Sequence, residues 1–358
     1  MVKAVYIHIP FCKNICSYCD FCKMYYHQEY VSSYLKALEK EIDKRYHDEV
    51  IDTIYIGGGT PSVLSLSELK ELFRIVKRIK KSKNVEFSFE INFDSIDIKK
   101  LTLLKENGVN RLSFGLETLS RKGQRLLNRE NEEEKIKRII KQAKKIGFDN
   151  INVDLIYALP EESKEDLEKD LDFILSLDID HISTYSLIIE EHTILYINGT
   201  KNISEEKDTD MYNYICKRLS KEGYIHYEIS NFAKEGKESR HNLCYWNNEH
   251  YYGFGLSSAS YVDNMRMINT RSINKYLKGK YFLEEEKLNK EDIREYEIML
   301  GLRKKVGINK NHLGKYKVNT KELLESGFLK EEDERIFIPE DKMYLSNEII
   351  VRLLKEDI

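Results

Sequence analysis

Four cysteines lie close together near the start of the chain, in the segment HIPFCKNICSYCDFC (residues 8–22). They are Cys12, Cys16, Cys19 and Cys22, four of the six cysteines among 358 residues. In a reducing compartment, thiols at such short spacings are more often metal ligands or catalytic groups than partners in disulfides. The segment therefore predicts a metal centre or redox chemistry.

The spacing Cys12-x3-Cys16-x2-Cys19 leaves two kinds of metal centre open. Structural zinc is usually held by a closed tetrahedron of four ligands, so zinc would need Cys22 as the fourth ligand on a very tight loop. A four-iron cluster on three thiolates instead keeps one iron without a protein ligand, and that iron can bind a small molecule. The spacing favours the iron–sulfur cluster, and a redox-inert zinc protein is the alternative.

The cysteine segment follows the first of several short runs rich in β-branched and aromatic residues, which we predict to be strands. These runs cover residues 4–9, 53–58, 85–91, 111–116, 151–157 and 181–188. Amphipathic stretches between them predict helices over residues 30–42, 67–81, 132–147 and 164–177. Strands and helices in alternation predict an α/β fold with a parallel sheet or barrel, whose functional face lies at the carboxyl ends of the strands.

Further glycine and polar residues fall at the same predicted strand ends. The segment GGGTPS (57–62) follows the second strand, and glycine lets the backbone approach a ligand closely. Polar side chains at the ends of the third to fifth strands are Glu90, Asn92, Glu117, Thr118 and Asp154. Because these ends share one face of the sheet, they predict a pocket for a polar ligand beside the metal centre.

The composition is that of a soluble globular protein, with 41% hydrophobic and 33% charged residues. A net charge of −3 argues against a general nucleic-acid footprint. We expect no membrane span, since no stretch approaches the apolar length of a transmembrane helix, and the chain start lacks the features of a signal peptide. These observations predict a cytoplasmic protein.

The pattern of the chain changes after residue 200. A helix is expected over 205–222, and residues 288–358 predict two helices, a short strand pair within RIFIPEDKMYL (335–345) and a final helix. That order suggests a small winged-helix-like module. Because its charge is mixed, we expect the module to pack against the barrel rather than to bind DNA. We therefore expect three regions, at 1–200, 201–285 and 286–358.

Several segments, in this order, resemble members of the radical SAM superfamily: YIHIPFC, IYIGGGTPS, GVNRLSFGLET, DLIYALP, YEISNFAK and HNLCYW. They are similar to the branch that contains oxygen-independent coproporphyrinogen III oxidase and the HemW-type heme chaperones. The resemblance runs from residue 2 to the C-terminus. It implies a partial (β/α)6 barrel with a C-terminal elaboration, and a 4Fe–4S cluster whose open iron is chelated by the amino and carboxylate groups of S-adenosylmethionine.

The resemblance also implies roles for particular residues. The cluster ligands it implies are Cys12, Cys16 and Cys19, and Cys22 is left as a spare thiol. The contacts it implies to S-adenosylmethionine on the cluster are Tyr6, Gly58 and Glu90. Positions that match a second S-adenosylmethionine site of the oxidase are Tyr18, Gly59, Thr60, Arg129 and Asp154. Glu117 stands at that site where the family usually has glutamine.

Within the branch, the chain resembles the chaperones more than the oxidase. It lacks the oxidase's N-terminal extension, its fourth cysteine completes a Cys-Asp-Phe-Cys pattern, and HNLCYW (241–246) is similar to the HNxxYW heme-binding motif. The motif implies His241 as an axial heme ligand, with Tyr245 and Trp246 packing on the macrocycle. On the residues alone, His241 also fits a buried, hydrogen-bonded histidine.

The function implied is a heme chaperone that delivers heme to apo-haemoproteins of the respiratory chain. The alternative is an oxidative decarboxylase of coproporphyrinogen III in porphyrin biosynthesis. The chaperone features make an active coproporphyrinogen III dehydrogenase the less favoured interpretation, and the sequence leaves open whether S-adenosylmethionine is cleaved. A homodimer is also left open.

Overall fold

The computed structural model describes residues 1–355. Its strands are β1 (Ala4–Ile9), β2 (Phe11–Cys12), β3 (Met24–Tyr25), β4 (Ile51–Gly58), β5 (Lys81–Asn92), β6 (Arg111–Glu117), β7 (Ile151–Tyr157), β8 (His181–Ser186), β9 (Ile225–Glu228), β10 (Asn231–Ala233), β11 (Tyr251–Phe254), β12 (Ala259–Val262), β13 (Met265–Asn269), β14 (Phe282–Lys287), β15 (Ile308–Asn309), β16 (Lys330–Glu332) and β17 (Arg335–Phe337).

The α-helices in this part of the chain are α1 (Gln28–Arg45), α2 (Leu66–Val76), α3 (Ile98–Glu106), α4 (Arg121–Leu127), α5 (Glu133–Ile146), α6 (Lys164–Ser176), α7 (Ile194–Ile197), α8 (Glu205–Lys221), α9 (Arg240–Trp246), α10 (Ile273–Leu277), α11 (Lys290–Gly301), α12 (Lys317–Glu325) and α13 (Ser346–Leu354). Short 3-10 helices cover Pro61–Val63, Lys310–Tyr316 and Glu340–Leu345. Among these residues, the structure has no helix with the length and apolar character needed to cross a lipid bilayer.

Six parallel strands form the centre of a large sheet in the sequential order β1-β4-β5-β6-β7-β8. At one edge, β11 pairs parallel to β1 and continues through antiparallel β12, β13 and β14. At the other edge, β10 and β9 add antiparallel strands next to β8. The predicted α/β fold with a partial six-unit barrel is confirmed, and the carboxyl ends of the six strands share one face.

The inner faces of these strands are polar although the runs look apolar in sequence. Side chains alternate along a strand, so Arg111, Ser113 and Gly115 of β6 face the interior while Leu112 and Phe114 pack outward in the hydrophobic core. Strands β7 and β8 repeat this with inward Asn152, Asp154, Ser183 and Tyr185. Asp154, expected at the end of its strand, therefore lies in the middle of β7.

Two local expectations are wrong. The helix expected over 67–81 ends at Val76, because β5 already begins at Lys81, where it pairs with Ile51 of β4. The strand pair expected within 335–345 is instead β17 paired with β16 and β15, while residues 340–345 form a 3-10 helix. Pro339 lacks a backbone N–H and stands at the start of that helix, where the strand ladder has ended.

The C-terminal part combines helices α11, α12 and α13 with the three-stranded antiparallel sheet β15-β17-β16. Strand β14 pairs with β13 in the large sheet and spans Phe282–Lys287, so the expected region boundary at 285/286 falls inside a strand. Helix α11 contacts α9, which joins this part to the barrel. The division into three regions stays a prediction, and the large sheet continues across its second boundary.

Glu162, in the loop after β7, is a buried carboxyl group outside the predicted site. Its Oε2 accepts a hydrogen bond from the backbone N–H of Leu159 at 2.9 Å, and its Oε1 has no partner within residues 1–355. Burial raises the pKa of Glu162 to about 8. The charged form is therefore costly in the folded state, so this group opposes folding increasingly as the pH rises from about 4.5 through about 8.

We expect Glu162→Gln to stabilise the protein near pH 9 by about 2 kcal/mol and to change little near pH 5, where the acid is neutral in the fold. Thermal unfolding measured across this range tests the expectation. The matched control is Glu161→Gln, which removes a charge from the exposed neighbouring position. An equal shift for Glu162→Gln at both pH values would contradict the burial argument.

Candidate functional site

A cavity of about 340 Å³ opens at the carboxyl ends of the barrel strands, a volume within the range of small-molecule sites. Eleven of the thirteen residues predicted for the site line it. They are Cys12, Cys16, Tyr18, Cys19, Gly58, Gly59, Thr60, Glu90, Glu117, Arg129 and Asp154. Tyr6 and His241 are the two that do not line it.

The cysteine loop is tied at both ends. At its base, the backbone N–H of Tyr26 donates to the carbonyl of Cys12 at 2.9 Å, which joins β3 to β2. Near its end, His8 Nε2 donates to the carbonyl of Cys22 at 2.7 Å. The thiols of Cys12, Cys16 and Cys19 face the cavity, whereas the Cys22 thiol contacts the carbonyl of Arg271 at 3.8 Å.

The three cavity thiols have the chemistry of metal ligands. Burial raises the pKa of Cys12 to about 11 and that of Cys16 to about 12, and burial also raises the pKa of Cys19. Near neutral pH the thiols therefore keep their protons unless a cation replaces them, and a bound metal does so. Three soft ligands around one space suit iron–sulfur or zinc and do not suit magnesium or calcium.

Tyr6 acts on the loop through His8. The Tyr6 hydroxyl donates to His8 Nδ1 at 3.0 Å, which leaves the proton of the neutral imidazole on Nε2 for the carbonyl of Cys22. Burial lowers the pKa of His8 to about 4, so the ring is neutral at physiological pH. Tyr6, expected to contact a cofactor, is thus placed where it orients the histidine that anchors the cysteine loop.

Three consecutive glycines bring the end of β4 against the neighbouring strands. A Cβ atom on Gly57 would lie 2.6 Å from the Glu90 carboxyl group, and one on Gly59 would lie 2.9 Å from Cys12 Sγ. Gly58 has φ +118°, and a Cβ there would lie 2.6 Å from the His8 ring. Its backbone N–H donates to Glu90 Oε2 at 2.9 Å. Only glycine permits this close approach.

Glu117, Arg129 and Tyr18 bond to one another at the cavity wall. Arg129 Nε donates to Glu117 Oε2 at 2.8 Å, and the Tyr18 hydroxyl donates to Glu117 Oε1 at 3.2 Å. Arg129 also donates to the carbonyl of Gly115 at 2.9 Å. Both charged side chains are about nine-tenths buried. At the positions matched to a second S-adenosylmethionine site, the charges of Glu117 and Arg129 therefore neutralise each other.

Two further carboxyl groups face the cavity. Burial raises the pKa of Glu90 to about 7. Burial, and after it the charge of Glu117, raises the pKa of Asp154 to about 6. Both groups therefore titrate near neutral pH, and a cationic ligand group beside them would favour their charged forms.

The HNLCYW motif forms most of α9, which closes the cavity at the amino ends of the strands. The carboxylate of Glu86 on β5 accepts hydrogen bonds from the backbone N–H groups of Arg240 and His241, each at 3.0 Å. His241 is 1% exposed, and its ring nitrogens are hydrogen-bonded to Thr53 and to Tyr245, each at 2.8 Å. The structure thus places His241 in the floor, away from the cysteine loop.

The sequence analysis missed part of the cavity lining. These residues are Tyr55, Arg111, Ser113, Asn152, Ser183, Tyr185 and Asn242. All but Asn242 lie on strands and share a signal, which is a polar residue at every second position of an otherwise apolar run. Asn242 comes from α9, and only the fold brings it to the cavity.

We expect Glu117→Gln to lower the free energy of unfolding by about 3 kcal/mol, because it leaves the Arg129 charge buried without its partner. Chemical denaturation measures the loss. The control is Glu39→Gln, which breaks a more exposed pair with Arg74 and should cost far less. Similar losses in both variants would show that burial of the Glu117–Arg129 pair has no energetic weight.

Comparison with known proteins places the chain in a family. Residues 6–174 of the chain match the family described as the Radical SAM superfamily. Heme chaperone HemW of Bacillus subtilis (strain 168) is 36% identical over 99% of this chain and 100% of its own length. Heme chaperone HemW of Lactococcus lactis subsp. lactis (strain IL1403) is also 36% identical, over 99% of this chain and 98% of its own.

Among solved structures, coproporphyrinogen III oxidase (HemN) from Escherichia coli, described as a radical SAM enzyme, superposes with a TM-score of 0.87 over 98% of this chain and 90% of its own. At 22% identity this likeness shows the fold. Radical SAM membership implies a 4Fe–4S cluster and S-adenosylmethionine, which the three cavity thiols and the glycine turn fit. The chain belongs to the radical SAM superfamily and, within it, to the family of the heme chaperone HemW.

Proposed function

We propose that this protein is a heme chaperone that binds heme and delivers it to apo-haemoproteins, including those of the respiratory chain. The observation that carries the proposal is the 36% identity to a heme chaperone HemW along nearly the whole chain. The HNLCYW motif, which is similar to the heme-binding motif of the chaperones, also supports it. We assign the function to the cytoplasm, where thiols remain reduced.

In this proposal Cys12, Cys16 and Cys19 hold the cluster, and the turn at Gly58 with Glu90 receives S-adenosylmethionine. When bound, the cluster supplies one-electron chemistry. The protein contributes the loop anchored by His8, the close backbone approach at the glycines, and the buried acid of Glu90. Glu117 bonded to Arg129 supports a single S-adenosylmethionine, because the positions for a second one are engaged with each other.

The deciding experiment uses anaerobic protein reconstituted with its cluster. One sample is titrated with heme and followed at the Soret band, and a parallel sample receives coproporphyrinogen III, S-adenosylmethionine and a reductant. Heme binding at micromolar concentration without decarboxylation is expected for the chaperone. Formation of protoporphyrinogen would make the protein an oxidase, and failure to bind heme would remove the chaperone function.

We expect Cys16→Ala to abolish the brown chromophore and the bound iron and sulfide, because three thiolates are the protein's whole contribution to the cluster. Cys22→Ala is the matched control and should retain both, since its thiol does not line the cavity. Metal and sulfide analysis of anaerobic samples measures this. Zinc in place of iron, or a full iron content in Cys16→Ala, would show that the ligands are misassigned.

A pair of variants tests His241 as the heme ligand. In the structure its Nε2 is hydrogen-bonded to the Tyr245 hydroxyl, so ligation requires that this nitrogen exchanges its partner. We therefore expect His241→Ala to weaken heme binding or shift the Soret band, and Tyr245→Phe to strengthen binding by freeing Nε2. Unchanged spectra and affinities in both variants would place the heme ligand elsewhere.

A further inference from the structure

Arg111, the first residue of β6, is a buried cation that faces the cavity without a partner. Its side chain lines the cavity, and the residue is 2% exposed. Its Nε has no hydrogen-bond partner within residues 1–355, and no carboxylate of that part of the chain lies within ion-pair distance of its guanidinium group. A buried charge is normally paired, so this arrangement points to a partner that comes from outside the chain.

The polar side chains around Arg111 form hydrogen bonds with one another and not with Arg111. Asn152 Nδ2 donates to Ser113 at 2.7 Å and to Asp154 at 2.8 Å. Asn152 Oδ1 accepts from Ser183 at 3.1 Å and is hydrogen-bonded to His181 Nδ1 at 2.6 Å. Arg111 is therefore no member of this network, and its position is not explained by it.

The floor beneath Arg111 holds the carboxylate of Glu86, which accepts hydrogen bonds from the backbone N–H groups of Arg240 and His241 and forms no ion pair with Arg111 in the described part of the chain. Burial, and after it the charge of Arg111, lowers the pKa of His241 to about 3 and that of His181 below its ordinary value. Both rings are neutral, and both have their nitrogens hydrogen-bonded. Neither histidine nor Glu86 is therefore an ion-pair partner of Arg111, whose side chain lines the cavity.

The acids of the cavity lie in higher layers of the barrel. Glu90 is paired in register with Ser113 and Asp154 with Gly115, two and four residues beyond Arg111 on β6. At about 3.3 Å per residue, their backbones lie about 7 and 13 Å nearer the carboxyl ends of the strands. Burial raises the pKa values of both acids and the charge of Arg111 partly opposes this, but neither acid forms an ion pair with Arg111 within residues 1–355. The cavity therefore presents a cation at its base and carboxyl groups above it.

We propose that Arg111 binds the carboxylate of a ligand that enters the barrel with its anionic end towards the floor. The planar guanidinium group matches a carboxylate through two parallel hydrogen bonds and needs no other cation nearby. A propionate of heme has this chemistry, whereas the carboxylate of S-adenosylmethionine is expected on the cluster. The name of this ligand rests on the proposed function, whereas the carboxylate site rests on Arg111 itself.

The first test uses sodium acetate as the probe on cluster-reconstituted protein. Thermal unfolding is compared in acetate and in chloride of equal ionic strength for the wild type, Arg111→Met and Arg125→Met, the last removing an exposed arginine of α4. We expect acetate to raise the midpoint of the wild type and of Arg125→Met and not that of Arg111→Met. An acetate effect that is absent from the wild type, or equal in all three, overturns the proposal.

Stability without acetate gives a second, independent readout. Removing an unpaired buried charge should leave Arg111→Met at least as stable as the wild type. A structural role for Arg111 predicts the opposite, a clear loss of stability, and that result would overturn the proposal. Arg111→Lys keeps the charge without the planar fork and should retain part of the acetate effect, which separates charge from packing.

The second test asks whether the carboxylate is a propionate of heme, with S-adenosylmethionine as the comparison ligand. Wild type and Arg111→Met are titrated with S-adenosylmethionine, with heme and with heme dimethyl ester. A loss of about tenfold for heme alone, with the ester binding both proteins equally, assigns a propionate. No loss for heme, or a loss for S-adenosylmethionine alone, overturns the proposal. A wild type that binds no heme contradicts the proposed function, and the acetate result then decides the site alone.

Discussion

The whole site depends on how closely the end of β4 approaches its two neighbours. The missing side chains of Gly57, Gly58 and Gly59 leave space for an acid from β5, an imidazole from β1 and a thiol from the cysteine loop. The same turn therefore sets the positions of three chemically different groups. A single added methyl group would displace one of them, and the hydrogen bond from Gly58 to Glu90 would be lost with the alignment.

Charge is layered along the inside of the barrel, and each layer is stabilised differently. At the mouth, Glu117 and Arg129 neutralise each other. In the middle, Glu90 and Asp154 are buried acids with raised pKa values, which lowers the cost of keeping them there as long as they hold a proton. At the base, Arg111 lies buried without an ion pair or a hydrogen-bond partner for its Nε within residues 1–355. Sites built for ligands commonly accept such local costs, which the packed exterior of the sheet offsets.

The order of strands and the cysteine loop could be predicted from the sequence because both are local patterns. Runs of β-branched residues mark the strands, and the spacing of Cys12, Cys16 and Cys19 needs no knowledge of the fold. The inner face could not be assigned in the same way. Arg111 and Asn152 look like isolated polar residues in apolar runs until the register of the sheet shows which positions face inward.

Long-range contacts explain the remaining differences. His241 fits a heme ligand or a buried histidine equally well in sequence, because its partner Thr53 is 188 residues away. The Glu117–Arg129 pair depends on a strand end and a turn that meet only after folding. The early end of α2 follows from the pairing of Lys81 with Ile51, which overrides the helical pattern of the segment.

Helix α9 closes the cavity at the amino ends of the strands. Its N-terminus is fixed to Glu86 on β5, so one end is closed. The exposed side chains of Phe21 and Ile188 belong to the lining and mark the other end as the entrance, beside the cysteine loop. A molecule bound beside the cysteine loop would therefore cover this entrance and slow the release of a ligand held at the floor.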